Sequence, residues 1–462
     1  MVNDFVARED LSLFTSGPRF TLAKVFLGEK MENYVANFDL LVRELPAARN
    51  YLVFAGLEHV VAYLLNLRFN REQCAWIKRS FGFSREVMKY FENFRFRGDV
   101  WAMPEGSIFF PQEPVIRVSA PIIEAQFIEM YLINTVYVQT ILATKIARFV
   151  AAANGKSVII GWNRSYGSDT AMKSARINEI FGNASSLSLY HYKHASHVFS
   201  TSTFHYLIMA FKNEQVALEA YLRQMDGHGY VLVDTYNTAR GIDNFIQAAK
   251  VVAREGIRPV GIQLDSGDLY SLSRLARRKL DAAGLRYVKI FAMSNLNEHR
   301  VAELERRQAP IDVYAGVTDL LTPPDAPTLE LVYKLSELRQ GKFVVPKMKT
   351  SSKKASLPGR KQVFRFTGRG KYTHDVIALD SEHLKHGRPL LVPIIQKGKL
   401  VRRLPGLTGI RSHYQNDYDH FSTNLHSFNK KVNYPVSVST ELKQLVEEAR
   451  RAFSSDSRNG DV

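Results

Sequence analysis

Four short polar runs in this 462-residue chain stand where α/β proteins place their chemistry: Asp234-Thr235, Asp265-Ser266-Gly267-Asp268, Ser294-Asn295 and Thr318. Each closes an apolar, β-rich run. Loops at the C-terminal ends of parallel strands form the active face of barrels and doubly wound sheets. Asp265 and Asp268 put two carboxylates on one short turn beside Gly267, which suits a metal-bound or hydroxyl-rich ligand. Asp, Ser, Asn and Thr also cap helices, but four such runs on one edge favour a site. A second cluster, His191, His194 and His197, repeats every three residues. Imidazole is a common metal ligand, yet no acid or cysteine accompanies these histidines, so a polar loop or dimer contact is the plainer account.

The elements that must carry the polar runs can be read from periodicity. Strand-like segments occur at Ser157–Gly161, Tyr230–Asp234, Val260–Leu264, Tyr287–Met293 and Ile311–Val317. Helical stretches at Gly241–Arg254, Leu269–Ala283 and Glu298–Arg307 lie between the last four. Strand starts near 230, 260, 287 and 311 are separated by 30, 27 and 24 residues, which is βαβ spacing and implies parallel strands with crossover helices. Upstream, residues 30–100 read as amphipathic helices around a short strand near Val35–Leu41. Residues 100–118 carry Pro104, Gly106, Pro111 and Pro114 among β-formers and read as short extended pieces. Residues 119–153 return to helical spacing.

Composition narrows the class. Apolar residues make up 45% and charged residues 23%, enough for a sizeable core. One cysteine, Cys74, excludes an intrachain disulfide framework and a multi-cysteine zinc site. The stretch Ala120–Ala153 is broken by Glu124, Glu129, Lys145 and Arg148, so it reads as buried helix and not as a membrane span. MVNDFVARED lacks the pattern of a secretory signal, and a cytoplasmic location is expected. The net charge of +17 is uneven: residues 331–462 hold 25 basic and 11 acidic residues. The stretch Lys342–Lys371 carries much of this. A nucleic-acid surface would interleave exposed aromatics with those charges; for Phe343, Phe364, Phe366 and Tyr372, burial in a strand core is the simpler expectation.

The runs FDLLVRELP (residues 38–46), WAMPEGSIFFPQEP (101–114), VLVDTYNT (231–238), QLDSGDL (263–269), APIDVYAGVTDLLTPPDAP (309–327) and LPGRKQVFRF (357–366), in this order and spacing, resemble the nicotinate phosphoribosyltransferase family of type II phosphoribosyltransferases. The likeness covers about residues 20–366. It implies an irregular α/β barrel plus an α/β sandwich domain formed from both chain ends. The expected division is residues 1–130 and 336–462 for the sandwich, with a basic C-terminal part and tail, and 131–335 for the barrel. The resemblance also implies a homodimer with interface active sites, Mg²⁺, and coupling to ATP through a phosphorylated histidine. The reaction it implies joins nicotinate to phosphoribosyl pyrophosphate.

Carried over residue by residue, the resemblance gives Asp265 and Asp268 to ribose and Mg²⁺, His205 to the diphosphate or a transferred phosphate, and Arg164 to an anion. Ser202 and Gln263 fall at the base, Thr318 and Gly316 at the phosphate loop, with Ser266, Gly267, Ser294 and Asn295 lining the same edge. The scaffold agrees better than the site. Gln263 stands where the family has the arginine that contacts nicotinate. Ser202 replaces a threonine in the element ending at His205. Asn163 replaces one of two arginines, Asp319 puts an acid beside an expected phosphate, and Ser16-Gly17-Pro18 lacks the tyrosine that covers the base. Two readings follow: a phosphoribosyltransferase, for nicotinate or for another base stacked by Trp162 and Tyr166, or a non-catalytic relative that binds RNA or protein.

Overall fold

The computed structural model describes residues 6–183, 186–194, 202–349 and 356–456. The chain forms two compact units, Met1–Ile141 with Thr328–Val462, and Leu142–Pro327.

The first unit joins both chain ends in one seven-stranded sheet. In spatial order its strands are Phe343–Pro346, Leu331–Gln340, Val35–Val42, Pro114–Pro121, Asp99–Ala102, Val392–Gln396 and Lys399–Leu400, all antiparallel to their neighbours. Its aromatic core draws on the helices Gly17–Gly28, Arg71–Phe81, Arg85–Glu92 and Ile122–Phe127 and on Phe69 in a loop. Phe20 packs against Phe69, Phe81, Phe91 and Phe127 with ring centroids 5.0–6.1 Å apart. Glu124, which interrupts the apolar run at 120–153, is fully buried and accepts hydrogen bonds from the backbone N–H of Arg97 at 2.6 Å and from its Nε at 2.7 Å. A buried charge is tolerated when paired and hydrogen-bonded.

The basic C-terminal region divides. Lys361 is buried against Asp39 at 2.7 Å, and Arg365 is buried between Asp375 at 2.7 Å and Asp417 at 3.3 Å. Phe364 and Tyr372 are buried as expected, but Phe343 is 78% exposed, because its strand is the sheet's edge. Edge position is a tertiary property that a β-rich run does not reveal.

The second unit holds a five-stranded parallel sheet in the order Ser157–Ile160, Val313–Gly316, Lys289–Ala292, Gly261–Leu264, Tyr230–Leu232. An isolated parallel bridge from Ser202 to Tyr230 extends it by one position. The strands Gly261–Leu264 and Val313–Gly316 are buried throughout, as strands covered on both faces must be. Helices Thr238–Ala253, Leu269–Ala282 and Glu298–Arg306 are the crossovers. Their caps account for part of the polar sequence after each strand. Asn237 accepts from the N–H of Arg240 at 3.0 Å, Asp268 from Ser271 at 3.3 Å, and Asn297 from Arg300 at 3.0 Å. Gly241 lets the first of these helices sit on its strand; a Cβ there would meet the carbonyl oxygen of Val233 at 1.9 Å. Lys145 and Arg148, which also interrupt the apolar run, both pair with the buried Glu298, at 2.7 and 3.0 Å.

Candidate functional site

The side chains that do not cap helices converge at the C-terminal ends of the parallel strands. Asp234 follows Tyr230–Leu232, and its Oδ2 accepts from the backbone N–H of Asp265 at 2.8 Å and from the Ser266 hydroxyl at 2.7 Å. This ties two adjacent strand ends together. His205, opening the short helix His205–Ala210, points its Nδ1 to Thr235 Oγ1 at 3.2 Å and its Nε2 to Asp265 Oδ2 at 3.8 Å. The chain reaches this place because Thr203 is clipped to the edge strand. Its N–H donates to Tyr230 O at 3.0 Å, and its hydroxyl accepts from Leu232 N–H at 2.8 Å.

The electrostatics fit a charge-handling centre. Burial, and then the neighbouring Asp234, push the Asp265 carboxyl above the ordinary aspartate range; His205 opposes this. Asp234 Oδ1 is buried and has no hydrogen-bond partner among the described residues. Glu214 is buried nearby with its pKa raised by burial, and it holds Asn244 at 2.7 Å. Perturbed acids of this kind concentrate at functional sites. Asp234 and Thr235 close a strand in the sequence, but nothing in the sequence alone assigns them a role. Their signal was the polar dipeptide that follows the apolar Val231-Leu232-Val233 within VLVDTYNT.

The other candidate residues take distinct places. Asp268 caps its helix, and its hydrogen bonds with Ser271 lower its pKa. Gly267 has φ +78°, the turn that separates the two acids. Ser202 donates to Gln263 Oε1, and Gln263 is buried on the sheet. Ser294 and Asn295 both have positive φ, +104° and +44°, and the Asn295 carbonyl accepts from Arg300 at 3.3 Å. Strained backbone at the end of a strand is a mark of functional turns. Gly316 sits where a Cβ would meet Leu320 Cδ2 at 2.4 Å, and its carbonyl accepts from Gly161 N–H at 3.1 Å. Thr318 opens the four-residue helix Thr318–Leu321, and the adjacent Asp319 accepts from Asn297 at 3.0 Å. Arg164 is exposed and has no ion pair among the described residues. Trp162 Nε1 donates to Ser186 at 3.0 Å. The exposed aromatics of the same unit include Phe204, Tyr206, Tyr166 and Tyr236, the first two stacked at 5.4 Å.

His191 is buried, and His194 stacks on Tyr190 at 4.2 Å; His197 lies outside the described residues. Among the described residues, Glu298, His299 and Asp325 come close enough together to ligate an ion. Lys145 already sits there, 2.7 Å from Glu298 and 3.0 Å from Asp325, so the cluster is an ion-pair network. No helix among the described residues is long and apolar enough to cross a membrane.

A parallel sheet with acids and a histidine gathered at its strand ends is the layout of an α/β enzyme. Residues 15–137 match the nicotinate phosphoribosyltransferase (NAPRTase) N-terminal domain and residues 385–446 the nicotinate phosphoribosyltransferase C-terminal domain. The chain is 38% identical to a nicotinate phosphoribosyltransferase of Mycobacterium tuberculosis, over 97% of this chain and 96% of that one. It is 32% identical to a nicotinate phosphoribosyltransferase of Bacillus subtilis, over 94% of each. Its fold matches human nicotinic acid phosphoribosyltransferase with a TM-score of 0.83 at 23% identity, covering 94% of this chain and 99% of that one. The chain belongs to the nicotinate phosphoribosyltransferase family and has the type II phosphoribosyltransferase fold.

Proposed function

We propose that this chain is a phosphoribosyltransferase of pyridine nucleotide salvage, joining a pyridine base of the nicotinate type to phosphoribosyl pyrophosphate. The ring nitrogen of the base forms a bond to the anomeric carbon, the bond from that carbon to pyrophosphate breaks, and pyrophosphate leaves with its electron pair. Positive charge grows on the ribose as the bond breaks. The observation that carries this reading is the cluster of Asp265, Asp234 and His205. Fixed carboxylates beside a developing cation stabilise it most when they are partly desolvated, as Asp265 is.

The Asp234 oxygen that lacks a partner among the described residues, with Asp265 beside it, fits a divalent cation, because Mg²⁺ takes carboxylate oxygens and neutralises phosphate charge. We assign Asp234 and Asp265 to hold Mg²⁺, which would supply charge neutralisation for the departing pyrophosphate. Asp268 orients the ribose hydroxyls, and Arg164 and Thr318 meet phosphate oxygens. His205 stands at the diphosphate, where it is the acceptor if ATP donates phosphate. The exposed Phe204, Tyr206, Tyr166 and Tyr236 support a homodimer in which a second copy covers the site.

The test is pyrophosphate release by purified protein given phosphoribosyl pyrophosphate, Mg²⁺ and a panel of pyridine bases, with and without ATP. Release with at least one base, lost in Asp265→Asn, is the expected result. Silence across the panel together with no thermal shift from phosphoribosyl pyrophosphate would overturn the reading.

A further inference from the structure

Tyr63, on the helix Leu57–Asn66, is 4% exposed, and its hydroxyl is buried with no hydrogen-bond partner among the described residues. Its ring stacks on Tyr131 with centroids 3.9 Å apart. Both tyrosines line a cavity of about 190 Å³, together with the apolar side chains of Leu11, Ala62 and Leu67. This cavity adjoins a second one of about 360 Å³, since Arg8, Ser12 and Asn66 line both. Arg68 and Glu9 line the second cavity as well, so two positive charges stand there against one negative. Arg8 and Arg68 are exposed, and neither has an ion pair among the described residues. We infer that the two cavities form one binding site for a small planar ring carrying an anionic group, a carboxylate or a phosphate ester, with the ring beside Tyr63 and the anion at Arg8 and Arg68. All these residues belong to the first unit, and the inference does not rest on the reading of the strand-end site.

Size, polarity and charge each limit the ligand. An apolar cavity of roughly 150 Å³ admits a benzene ring, so the inner cavity has room for a single ring. Burial, and then the neighbouring Tyr131, push the Tyr63 phenol above its ordinary range, so it keeps its proton and acts as a donor at neutral pH. A buried donor left unmet costs free energy, and an acceptor on the far side of the ring answers it. A guanidinium takes carboxylate or phosphate oxygens through charge-assisted hydrogen bonds, which suits Arg8 and Arg68 to the other end. The site is also held in shape. The short helix Arg8–Leu13 carries both Leu11 and Arg8 and is fastened at three points. The Ser12 hydroxyl donates to the Arg68 carbonyl, Gln73 Nε2 donates to the Glu9 carbonyl at 2.9 Å, and Phe14, the residue that follows the helix, meets Tyr131 edge-on at 6.1 Å. Fixed walls reduce the ordering that binding would otherwise require.

The test is calorimetric titration of the full chain with 4-hydroxybenzoate, 4-hydroxyphenyl phosphate and the neutral 4-hydroxybenzyl alcohol, in the unmodified protein, Tyr63→Phe and Arg8→Ala. At least one anion should bind, about 10-fold or more tighter than the alcohol. The tighter of the two anions tells a carboxylate ligand from a phosphate ester. Tyr63→Phe should weaken that anion by about 3- to 10-fold without lowering Tm, since it removes an unpaired buried hydroxyl and keeps the ring. Arg8→Ala, at an exposed position, should weaken the anion by about 10-fold and leave the alcohol within about 2-fold. Binding of neither anion up to about 10 mM, or equal affinity for the alcohol, overturns the inference. So does anion binding that phosphoribosyl pyrophosphate displaces and both variants leave unchanged, because the anions then sit at the strand ends.

Discussion

His205 Nε2 lies 3.8 Å from Asp265 Oδ2, closer than two independent surface groups have reason to be and longer than a hydrogen bond. The imidazole is held from its other side by Thr235 at 3.2 Å, and the carboxylate belongs to a turn tied down through Asp234. The gap therefore separates two groups with independent anchors. That is the spacing a ligand atom or ion between them would tighten, as catalytic contacts often do on binding.

The raised pKa of Asp265 gives a prediction with a sign. A carboxyl whose folded pKa exceeds its unfolded value holds its proton more tightly when folded. Ionising it at neutral pH therefore costs stability, and the cost shrinks as pH falls through the folded value and is gone below the unfolded one. Asp265→Asn should raise Tm at pH 7 by a degree or more while abolishing turnover, and the gain should shrink as the pH is lowered toward 4. Thermal melts across pH check this. A lower Tm at pH 7 would mean that the carboxylate is stabilised by contacts and not strained by burial.

Gly241 links the core to the site. Its missing Cβ allows helix Thr238–Ala253 to touch the carbonyl of Val233, one residue before Asp234. Gly241→Ala forces the helix off the strand, which is overpacking and costs about 1–3 kcal/mol. Because the displaced strand end carries Asp234 and Thr235, kcat should fall by more than the stability loss explains, even at temperatures where the variant is fully folded. Urea denaturation and initial rates at 15 °C separate the two effects.

The parallel sheet and its crossovers were legible because apolar runs alternate with helical periodicity at regular spacing. Tyr230–Leu232, Gly261–Leu264, Lys289–Ala292 and Val313–Gly316 all fall within the segments read from sequence. What sequence could not do was sort polar residues that follow strands. Asn237, Asp268 and Asn297 cap helices, while Asp234 and Asp265 bond across strand ends; both jobs use the same residue types within a few positions of each other. Nor could it show Ser202 against Gln263, a contact spanning 61 residues that depends on an isolated bridge at the sheet's edge. The exposure of Phe343 was illegible for the same reason: edge and centre are decided by neighbours.

Asp268 allows its two assigned roles to be separated. As N-cap it accepts from Ser271, and its lowered pKa keeps it ionised through the neutral range. Asp268→Ala should lose about 1 kcal/mol of stability. Serine caps nearly as well, so Asp268→Ser should recover most of that loss. It should not recover activity, because a hydroxyl cannot supply the negative charge proposed for the ribose. Full activity in Asp268→Ser would reduce Asp268 to a cap.

The surplus positive charge of the C-terminal region gives the last prediction. Lys361 is buried against Asp39 at 2.7 Å and donates to the carbonyls of Leu357 and Gly359 at 2.8 and 2.7 Å, with its pKa lowered by burial. Removing one partner leaves an uncompensated buried charge, whereas removing both is often nearly neutral. Lys361→Met should therefore cost about 3–5 kcal/mol, and the double variant with Asp39→Leu should recover most of it. Equilibrium denaturation at low and high salt checks the cycle. The coupling should be insensitive to salt, since ions screen exposed pairs and not buried ones. A steep salt dependence would place this lysine at the surface, with the charges able to meet an external polyanion.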